Sequence, residues 1–454
     1  MHRVRIISLL LALLLVPLGA EPRADRHVIL ITIDGFPAHL WPDPSLPLPN
    51  LRAMAAHGAR ARALSSSNPT VTWPNHTTLV TGVSPRRHGV LFNGYVTRQG
   101  PGRPTHNEPW TDKSIMVRVP TVYDAAHAAG LGTAECDWVA ISRAGTIDWS
   151  FAELPDPNGK VAREMVDAGI ASLDEIVAAH GGKQQRNIVC RDELWLRAAQ
   201  FIFERHRPNL LLLHLLNTDS THHRYGPGSL AGYSALALAD RLVGELVRTV
   251  DATGLLKQTT FIVTTDHGFK KVQTHLYPNV TLKRAGLLRS AGARIVDCAA
   301  YAGAQGGIAF IYVTDPARRT ELIPKLKSLF VGAEGVDRVI DGTSAPGLGM
   351  PGPDENQAMG DLILFARAGF SFSGSAAGEV ESHPSVDYGG SHGYPADDPE
   401  MDGIFVASGG GIREEVVLDR VSNMDVAPTI AHLLDVPLPN VEGRVIDEIL
   451  KPDP

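Results

Sequence analysis

Short apolar runs rich in β-branched residues recur along the chain and alternate with segments of helical spacing. The clearest runs carry almost no polar position on either face, and they span His27 to Ile33, Asn209 to Leu216 and Thr259 to Thr265. Further candidates span Gly360 to Ala366 and Gly403 to Ala407. Strands that are apolar on both faces are typical of a parallel sheet covered by helices on each side.

The segments between these runs show helical periodicity. The pattern predicts helices from Asn50 to near Gly58, from Thr72 to Gly82, over Asp192–His206, over Tyr233–Asp251 and over Asp425–Leu434. Asn50 is a candidate cap for the first of them. Alternating strands and helices predict an α/β doubly wound fold, with a mostly parallel sheet flanked by helices.

Two stretches interrupt this rhythm. Residues 94–115 are rich in Gly and Pro without a period, which favours a surface excursion. Residues 269–383 contain short strands such as Gly307 to Val313 and a helix near Glu321 to Leu329, which predicts a small α+β insertion. We therefore expect one catalytic domain over residues 25–454 that contains this insertion.

The N-terminus has the composition of a secretory signal. Arg3 and Arg5 precede the apolar run Ile6 to Val16, and small residues follow up to Ala20. This pattern predicts a signal peptide over residues 1–20 and export to the periplasm or the extracellular space. The alternative is a membrane anchor, but the run is short for a bilayer. After cleavage no membrane contact is expected.

Composition narrows the function classes. Of the 454 residues, 44% are hydrophobic and 20% are charged, as in an ordinary soluble domain. The net charge of −7 argues against a nucleic-acid-binding surface. An anionic substrate must then be attracted locally, which a bound cation would achieve. The sequence leaves the oligomeric state open.

Three cysteines are present, and no two form a C-x-x-C pair. A thiolate metal site is therefore not expected. Export permits a disulfide, and Cys136 with Cys190 is one of the three pairings that Cys136, Cys190 and Cys298 allow.

Acidic residues and histidines follow the apolar runs. Asp34 follows the first run, Asp219 follows the second with His223 four residues later, and Asp266-His267-Gly268 follows the third. Each piece alone is also compatible with an ordinary turn or surface pair. In open α/β sheets, however, sites form beyond the carboxyl ends of the strands. Gly268 is expected to permit a turn that lets Asp266 and His267 point to one place.

Two further segments add chemistry. His392 stands among glycines in Gly389-Gly390-Ser391-His392-Gly393, which suits a ligand at a crowded site. Thr72 stands where a helix begins, so its hydroxyl is either a helix cap or a nucleophile facing a phosphate at the positive helix end. Thr70 is the rival hydroxyl. Histidines and carboxylates in threes suit zinc with an open coordination position, and two such sets suit a two-metal hydrolase.

Several blocks resemble the signatures of nucleotide pyrophosphatase/phosphodiesterases of the alkaline phosphatase superfamily. They are V-T-W-P-N-H-T-T-L-V-T-G, S-P-R-R-H-G, D-S-T-H-H-R-Y-G-P, T-T-D-H-G and S-H-G-Y, in the family's order. The resemblance implies two Zn²⁺ ions, one held by Asp219, His223 and His392. It implies that Asp34, Asp266 and His267 hold the other, with Thr72 bridging both ions.

The resemblance also implies substrate contacts. Asn93 matches the asparagine that bonds a phosphate oxygen, and Trp73 stands where the family usually has Phe. Nucleotide-cleaving members place an aromatic residue at the position of His214, so the chain departs from the family there, and His214 is expected to contact the substrate in its place. The implied activity is a two-zinc phosphodiesterase with a phosphothreonine intermediate, acting on a small phosphodiester or nucleotide-like substrate.

Alternatives share the scaffold. A phosphomonoesterase and a phosphonate hydrolase would use the same metals, whereas a sulfatase is disfavoured because no C-x-P-x-R or S-x-P-x-R block occurs at Thr72. The non-enzyme alternative is a metal-binding pseudoenzyme, which the presence of every ligand and of the nucleophile disfavours.

Overall fold

The computed structural model describes residues 23–181, 188–386 and 388–452. The predicted signal peptide, residues 1–20, lies outside the described residues. Within them, no helix combines the length and the apolar character that crossing a membrane requires.

The strands and helices follow each other in the order that the periodicity predicts. The strands are β1 (His27–Ile33), β2 (Gly58–Ser65), β3 (Tyr95–Thr97), β4 (His106–Glu108), β5 (Thr133–Cys136), β6 (Trp149–Phe151), β7 (Leu210–Leu215), β8 (Thr259–Thr264), β9 (Lys270–Leu276), β10 (Leu288–Ala291), β11 (Arg294–Cys298), β12 (Ala300–Gln305), β13 (Ile308–Val313), β14 (Val336–Asp341), β15 (Leu362–Ala366), β16 (Gly369–Phe372), β17 (Ser382–Pro384), β18 (Gly390–Ser391), β19 (Gly403–Gly409) and β20 (Val416–Ser422). The helices are α1 (Pro49–Ala56), α2 (Thr72–Thr81), α3 (Pro85–His88), α4 (Lys113–Met116), α5 (Val122–Ala128), α6 (Lys160–Asp167), α7 (Leu173–His180), α8 (Ile188–His206), α9 (Asn217–Tyr225), α10 (Leu230–Ala252), α11 (Pro278–Arg284), α12 (Arg319–Phe330) and α13 (Val426–Leu434).

An eight-stranded sheet forms the centre, in the order β20-β2-β19-β8-β1-β7-β5-β6. Strand β1 pairs in parallel with both β7 and β8. Strand β19 pairs antiparallel with β8 and β2, and it is the single reversed strand of this sheet in the described residues. The predicted α/β fold with a mostly parallel sheet is confirmed.

Two apolar runs take places that the pattern did not predict. The run Gly403 to Ala407 becomes β19, which is antiparallel to its neighbours. The run Gly360 to Ala366 supplies β15, which lies in a separate four-stranded antiparallel sheet. Burial on both faces makes a strand apolar whether it is parallel or antiparallel, so the run alone cannot specify either direction or sheet.

The central sheet separates two hydrophobic cores. Ile29, Ile31 and Ile33 point to the face covered by α1, α8 and α10. Val28 and Leu30 point to the opposite face, where α2, α5 and α13 pack. Alternate residues of a strand point to opposite faces, so β1 contributes to both cores and is buried along its whole length.

Residues 269–383 form most of the strands that lie outside the central sheet. The sheet β12-β13-β15-β14 is packed by α12 on one side, and β9 pairs with β16, β17 and β18. Residues 94–115, expected as an irregular excursion, contain the short hairpin β3–β4. The exact limits of the insertion stay a prediction.

One local prediction is wrong. Asn50 lies inside α1, which begins at Pro49, and its side chain donates to Asp240 Oδ2 at 2.7 Å instead of capping the helix. The sequence leaves the disulfide pairing open, and in the structure Cys136 is buried in β5 with a free thiol.

Asp240 on α10 performs the capping instead. Its carboxylate accepts hydrogen bonds from the backbone N–H groups of Asn50 and Leu51 at 3.1 and 2.7 Å. Asp240→Ala should lower the free energy of unfolding by about 1–3 kcal/mol, because two N–H groups at the start of α1 lose a charged acceptor. Urea denaturation would measure this. The exposed Asp251→Ala on the same helix should change stability by less than about 0.5 kcal/mol, and equal effects of the two variants would contradict the capping role.

Candidate metal centre

Strands β1, β7 and β8 end at one edge of the central sheet, and polar residues follow directly after each of them. Ile33 of β1 lies beside Leu215 of β7, and Thr32 lies beside Thr264 of β8. The loops after these strands carry Asp34, the start of α9, and Asp266-His267. The register of the sheet therefore brings together residues that are far apart in sequence, as the strand ends predicted.

The first group of ligand atoms comes from α9 and β18. Asp219 and His223 lie four residues apart on α9, and their Oδ1 and Nε2 atoms are 3.4 Å apart. His392 follows β18, and its Nε2 lies 3.8 Å from the same Asp219 oxygen. These three side chains form a group whose ligand atoms could share one cation. His222, the neighbouring histidine, instead contacts Gly35 O at 3.0 Å.

The second group lies next to the first. Asp34, Asp219 and His267 bring one ligand atom each within range of a single ion. His267 Nε2 lies 3.5 Å from Asp34 Oδ1 and 3.2 Å from Asp266 Oδ2. Asp219 thus belongs to both groups, which the sequence did not indicate. The assignment of Asp266 to the second ion stays a prediction.

The donor set fits two divalent cations. One oxygen of each carboxylate, namely Asp34 Oδ1, Asp219 Oδ1 and Asp266 Oδ2, is buried without a hydrogen-bond partner. Each histidine contacts a backbone carbonyl through Nδ1: His223 with Gly390, His267 with Gly268 and His392 with Thr70, at 2.9–3.1 Å. Each Nε2 is therefore left for a ligand, which is the usual arrangement around a bound metal.

The electrostatics of the site point the same way. Burial raises the pKa of Asp34 well above its ordinary value, and the charges of Asp266 and Asp219 raise it further. Burial raises the pKa of Asp219 to about 6, although His223 opposes the shift. Burial also lowers the pKa of His267 to about 3 and that of His392 well below its usual value. The lowered pKa values keep the imidazoles neutral, as metal ligation requires, whereas the crowded carboxyl groups retain protons that a bound cation would displace.

Two glycines allow the backbone approaches that this site needs. A Cβ at Gly268 would lie 2.0 Å from Glu400 O, and one at Gly390 would lie 2.7 Å from His222 O. Gly268 does not adopt a positive φ, so close packing against another backbone segment is what requires a glycine here. The chain bends at Asp266, and the Asp266 and His267 side chains come within 3.2 Å of each other, but the role of Gly268 in that bend stays a prediction.

Thr72 begins α2 at the edge of the ligand cluster. Its Oγ1 lies 3.5 Å from His267 Nε2, and no side chain caps the helix. The rival hydroxyl of Thr70 is fully buried and donates to Tyr394 O at 2.7 Å. Of these two hydroxyls, that of Thr72 combines proximity to the ligand atoms with the absence of a backbone hydrogen bond.

Asn93 and Trp73 lie beside this helix start. The backbone N–H of Trp73 donates to Asn93 Oδ1 at 3.0 Å, which leaves the Asn93 amide N–H groups for another acceptor. A cavity of about 350 Å³ opens next to Trp73. Its lining combines three indole rings with charged groups: Trp73, Trp110, Trp138, Glu135, Glu153 and Arg143. Arg143 is ion-paired with Asp112.

His214 does not have the position that substrate binding requires. Only 2% of the residue is exposed, and its two nitrogens contact Asp34 Oδ2 at 3.0 Å and Asp137 O at 3.1 Å. The prediction of His214 as a substrate-binding residue is therefore corrected. His214 contacts Asp34 through Oδ2, whereas Asp34 Oδ1 faces the candidate ligand His267.

Several supporting residues escaped the sequence reasoning. His76 contacts Thr32 Oγ1 at 2.8 Å and Thr72 O at 2.9 Å, and Asn75 accepts a hydrogen bond from Ser67 N while its amide donates to Pro69 O. Both fix the turn that leads into α2. Their position in the helix turn that follows Thr72 is a signal that could have suggested this role for them.

Sequence comparison finds relatives that align with this chain at low identity. Human ectonucleotide pyrophosphatase/phosphodiesterase family member 7 is 28% identical over 299 residues, which cover 61% of this chain and 58% of the relative. The rat family member 3 is 23% identical over 439 residues, which cover 91% of this chain and 42% of the relative. The chain therefore spans about half the length of these relatives.

Solved structures support the fold. Human ectonucleotide pyrophosphatase/phosphodiesterase 5 superposes with a TM-score of 0.70 at 17% identity, covering 94% of this chain and 100% of that one. An inactive threonine-to-alanine variant of the murine protein, in complex with AMP, superposes with a TM-score of 0.69 at 18% identity, with the same coverage. The fold is thus alkaline phosphatase-like.

The family model of type I phosphodiesterase/nucleotide pyrophosphatase matches residues 28–395, a range that contains every candidate ligand and Thr72. This chain belongs to the type I phosphodiesterase/nucleotide pyrophosphatase family.

Proposed function

We propose that this chain is a two-zinc phosphodiesterase of the nucleotide pyrophosphatase type, with Thr72 as the nucleophile. The observation that carries the proposal is the convergence of three partnerless carboxylate oxygens and three imidazole Nε2 atoms beside the Thr72 hydroxyl. A single structural role would not leave so many buried ligand atoms without partners.

The two groups of side chains support this division of the metal ligands. Asp219, His223 and His392 would hold one Zn²⁺ ion, and Asp34, His267 and Asp266 the other, with the Asp219 carboxylate close to both. Bound zinc ions would lower the pKa of the threonine hydroxyl and stabilise negative charge on the transferred phosphoryl group.

The residues of the chain supply the covalent step. The Thr72 oxygen attacks phosphorus and loses its proton, the bond from phosphorus to the leaving ester oxygen breaks, and a phosphothreonine forms. Water then attacks phosphorus, the bond to Thr72 breaks, and the hydroxyl regains a proton. The Asn93 amide, held by the Trp73 N–H group, is placed to donate to a phosphoryl oxygen in both steps.

The cavity beside Trp73 suits an ester substituent. Its indole rings offer apolar surface to an aromatic group. The murine structural relative holds AMP, which supports a nucleotide-like or other small phosphodiester substrate. The named relatives are ectoenzymes, which supports export of this chain by its N-terminal segment.

A phosphomonoesterase is the second candidate. It would need a cation or donor for the extra charged oxygen of a monoester. Arg86 lies on α3, directly after the helix that begins at Thr72. Its guanidinium is ion-paired with Glu355 at 2.9 Å. Arg143 at the cavity is held by Asp112. Since both cations have carboxylate partners, a diester is the better substrate for this site.

Thr72→Ala should lower kcat by at least about 10³-fold, because the nucleophilic oxygen is lost. Zinc content and the circular dichroism spectrum should stay unchanged. Thr70→Ser, which keeps the hydroxyl bonded to Tyr394 O, is the control and should retain most activity. An active Thr72→Ala variant would contradict the assignment.

Purified protein should contain close to two zinc ions per chain by elemental analysis, because the ligand atoms form two groups. A chelator should abolish activity, and added zinc should restore it. His392→Ala should weaken one site only, whereas Asp219→Asn should weaken both. Active protein without any transition metal would exclude this proposal.

Bis-aryl phosphate diesters should be cleaved with a higher kcat/KM than the matching aryl monoester. The indole rings of Trp73, Trp110 and Trp138 line the cavity and offer an apolar wall, which suits a second ester substituent better than a charged oxygen. Steady-state kinetics with both substrates under the same conditions would measure the ratio. A tenfold preference for the monoester, about 1.4 kcal/mol in transition-state stabilisation, would favour the phosphatase alternative.

A further inference from the structure

A chain of buried polar contacts runs from helix α8 to the candidate ligand Asp34. Arg191 on α8 is ion-paired with Asp137 Oδ1, and both side chains are almost fully buried. Asp137 contacts His214 Nδ1 through its carbonyl oxygen at 3.1 Å, and His214 Nε2 reaches Asp34 Oδ2 at 3.0 Å. Each contact joins a different element, so the chain links α8, the loop after β5, β7 and the loop after β1.

The backbone at Asp137 is shaped for this contact. Its φ is +62°, a left-handed conformation that costs about 1 kcal/mol or more in a residue with a side chain. In this conformation the carbonyl oxygen and Oδ2 of Asp137 both face His214 Nδ1, at 3.1 and 3.5 Å. The ring of His214 is also held edge-on by His76, with centroids 4.5 Å apart. The imidazole is therefore fixed on three sides.

The result is an asymmetric Asp34 carboxylate. Oδ2 is occupied by His214, whereas Oδ1 is buried without a hydrogen-bond partner and faces His267 Nε2 at 3.5 Å. We propose that His214 is a positioning residue, which holds Asp34 so that Oδ1 alone is presented to the second metal ion. This inference rests on the proposed metal site and goes beyond it, because it explains why a histidine stands at this position.

The other metal group has a separate support on the same helix. Asp192, next to Arg191, accepts hydrogen bonds from the backbone N–H groups of Leu216 and Asn217 at 3.1 and 3.0 Å. It thereby fixes the start of α9, which carries Asp219 and His223. Adjacent residues of α8 therefore support different ligands: Arg191 acts on Asp34, which belongs to the second group only, whereas Asp192 holds the helix of Asp219, which both groups share.

The test compares His214→Gln with His214→Asn. The Gln amide reaches about as far as imidazole Nε2 and can still hydrogen-bond with Asp34, whereas the Asn amide reaches only about as far as Nδ1 and can contact Asp137 alone. Zinc affinity of each metal-free protein would be measured by competition with a chromogenic chelator. His27→Asn is the matched control, because His27 is buried at the opposite end of β1 and contacts Pro208 O.

His214→Asn should bind one of its two zinc ions about 10- to 100-fold more weakly, as expected when a partner behind a ligand is lost. His214→Gln should restore most of that affinity, and His27→Asn should bind both ions like the wild type. Asp192→Asn should weaken both sites, because it loosens the helix of the shared ligand Asp219, so a loss confined to one site distinguishes His214→Asn from it.

Two results would overturn the proposal. One is wild-type affinity of both sites in His214→Asn. The other is equal weakening in the Gln and Asn variants, which indicates a packing role. A third result, no zinc uptake by the wild-type protein, would overturn the proposed metal site itself. It is distinguished from the first two because they are seen only when the wild-type protein binds zinc.

Discussion

The crowding of Asp34, Asp219 and Asp266 in one buried place is the constraint on which the rest of the structure depends. Two unit charges 4 Å apart interact by about 4 kcal/mol at an effective dielectric constant of 20, and here each carboxylate also keeps one oxygen without a protein partner. No lysine or arginine contacts these oxygens in the described residues. Such a site is stable only with bound cations or with protons, and burial accordingly raises the pKa of Asp34 and Asp219. The surrounding residues serve mainly to keep these oxygens in place.

The central sheet places the acids, and a surrounding layer aims them. Strand register fixes where Asp34 and Asp266 begin, but the rotation of each side chain depends on its neighbours. Gly35 N donates to Asp266 Oδ1 at 3.1 Å, just as His214 contacts Asp34 Oδ2. In both cases one oxygen is bonded to the protein and the other is left for a ligand. The histidines follow the same rule with their two nitrogens, so the geometry of the site is set one atom at a time.

The sequence predicted the positions of these residues better than their surroundings. The ends of β1, β7 and β8 are visible because a long apolar run stops at a polar residue, and parallel neighbours then bring those stops together. The direction of β19 and the sheet of β15 are not visible, since burial on both faces has the same pattern in every case. The orientation of His214 depends on Asp137. This residue follows strand β5 and has a left-handed backbone conformation. Arg191 and Asp192 look like exposed positions of a helix, yet both are buried because their partners lie on other elements.

The predicted insertion is connected to the metal centre at its base. Strand β9 begins shortly after His267, and β18, which precedes His392, pairs with it antiparallel at Lys270 and Lys271. This pairing holds the two segments side by side, and the two imidazole rings are stacked with centroids 3.8 Å apart. The interior of the predicted insertion also contacts this base, because the backbone N–H of Gly307 donates to His392 O at 2.7 Å. The position of His392 therefore depends on the residues around Gly307 as well as on β9, so a change that moves this part of the insertion would also move a candidate metal ligand.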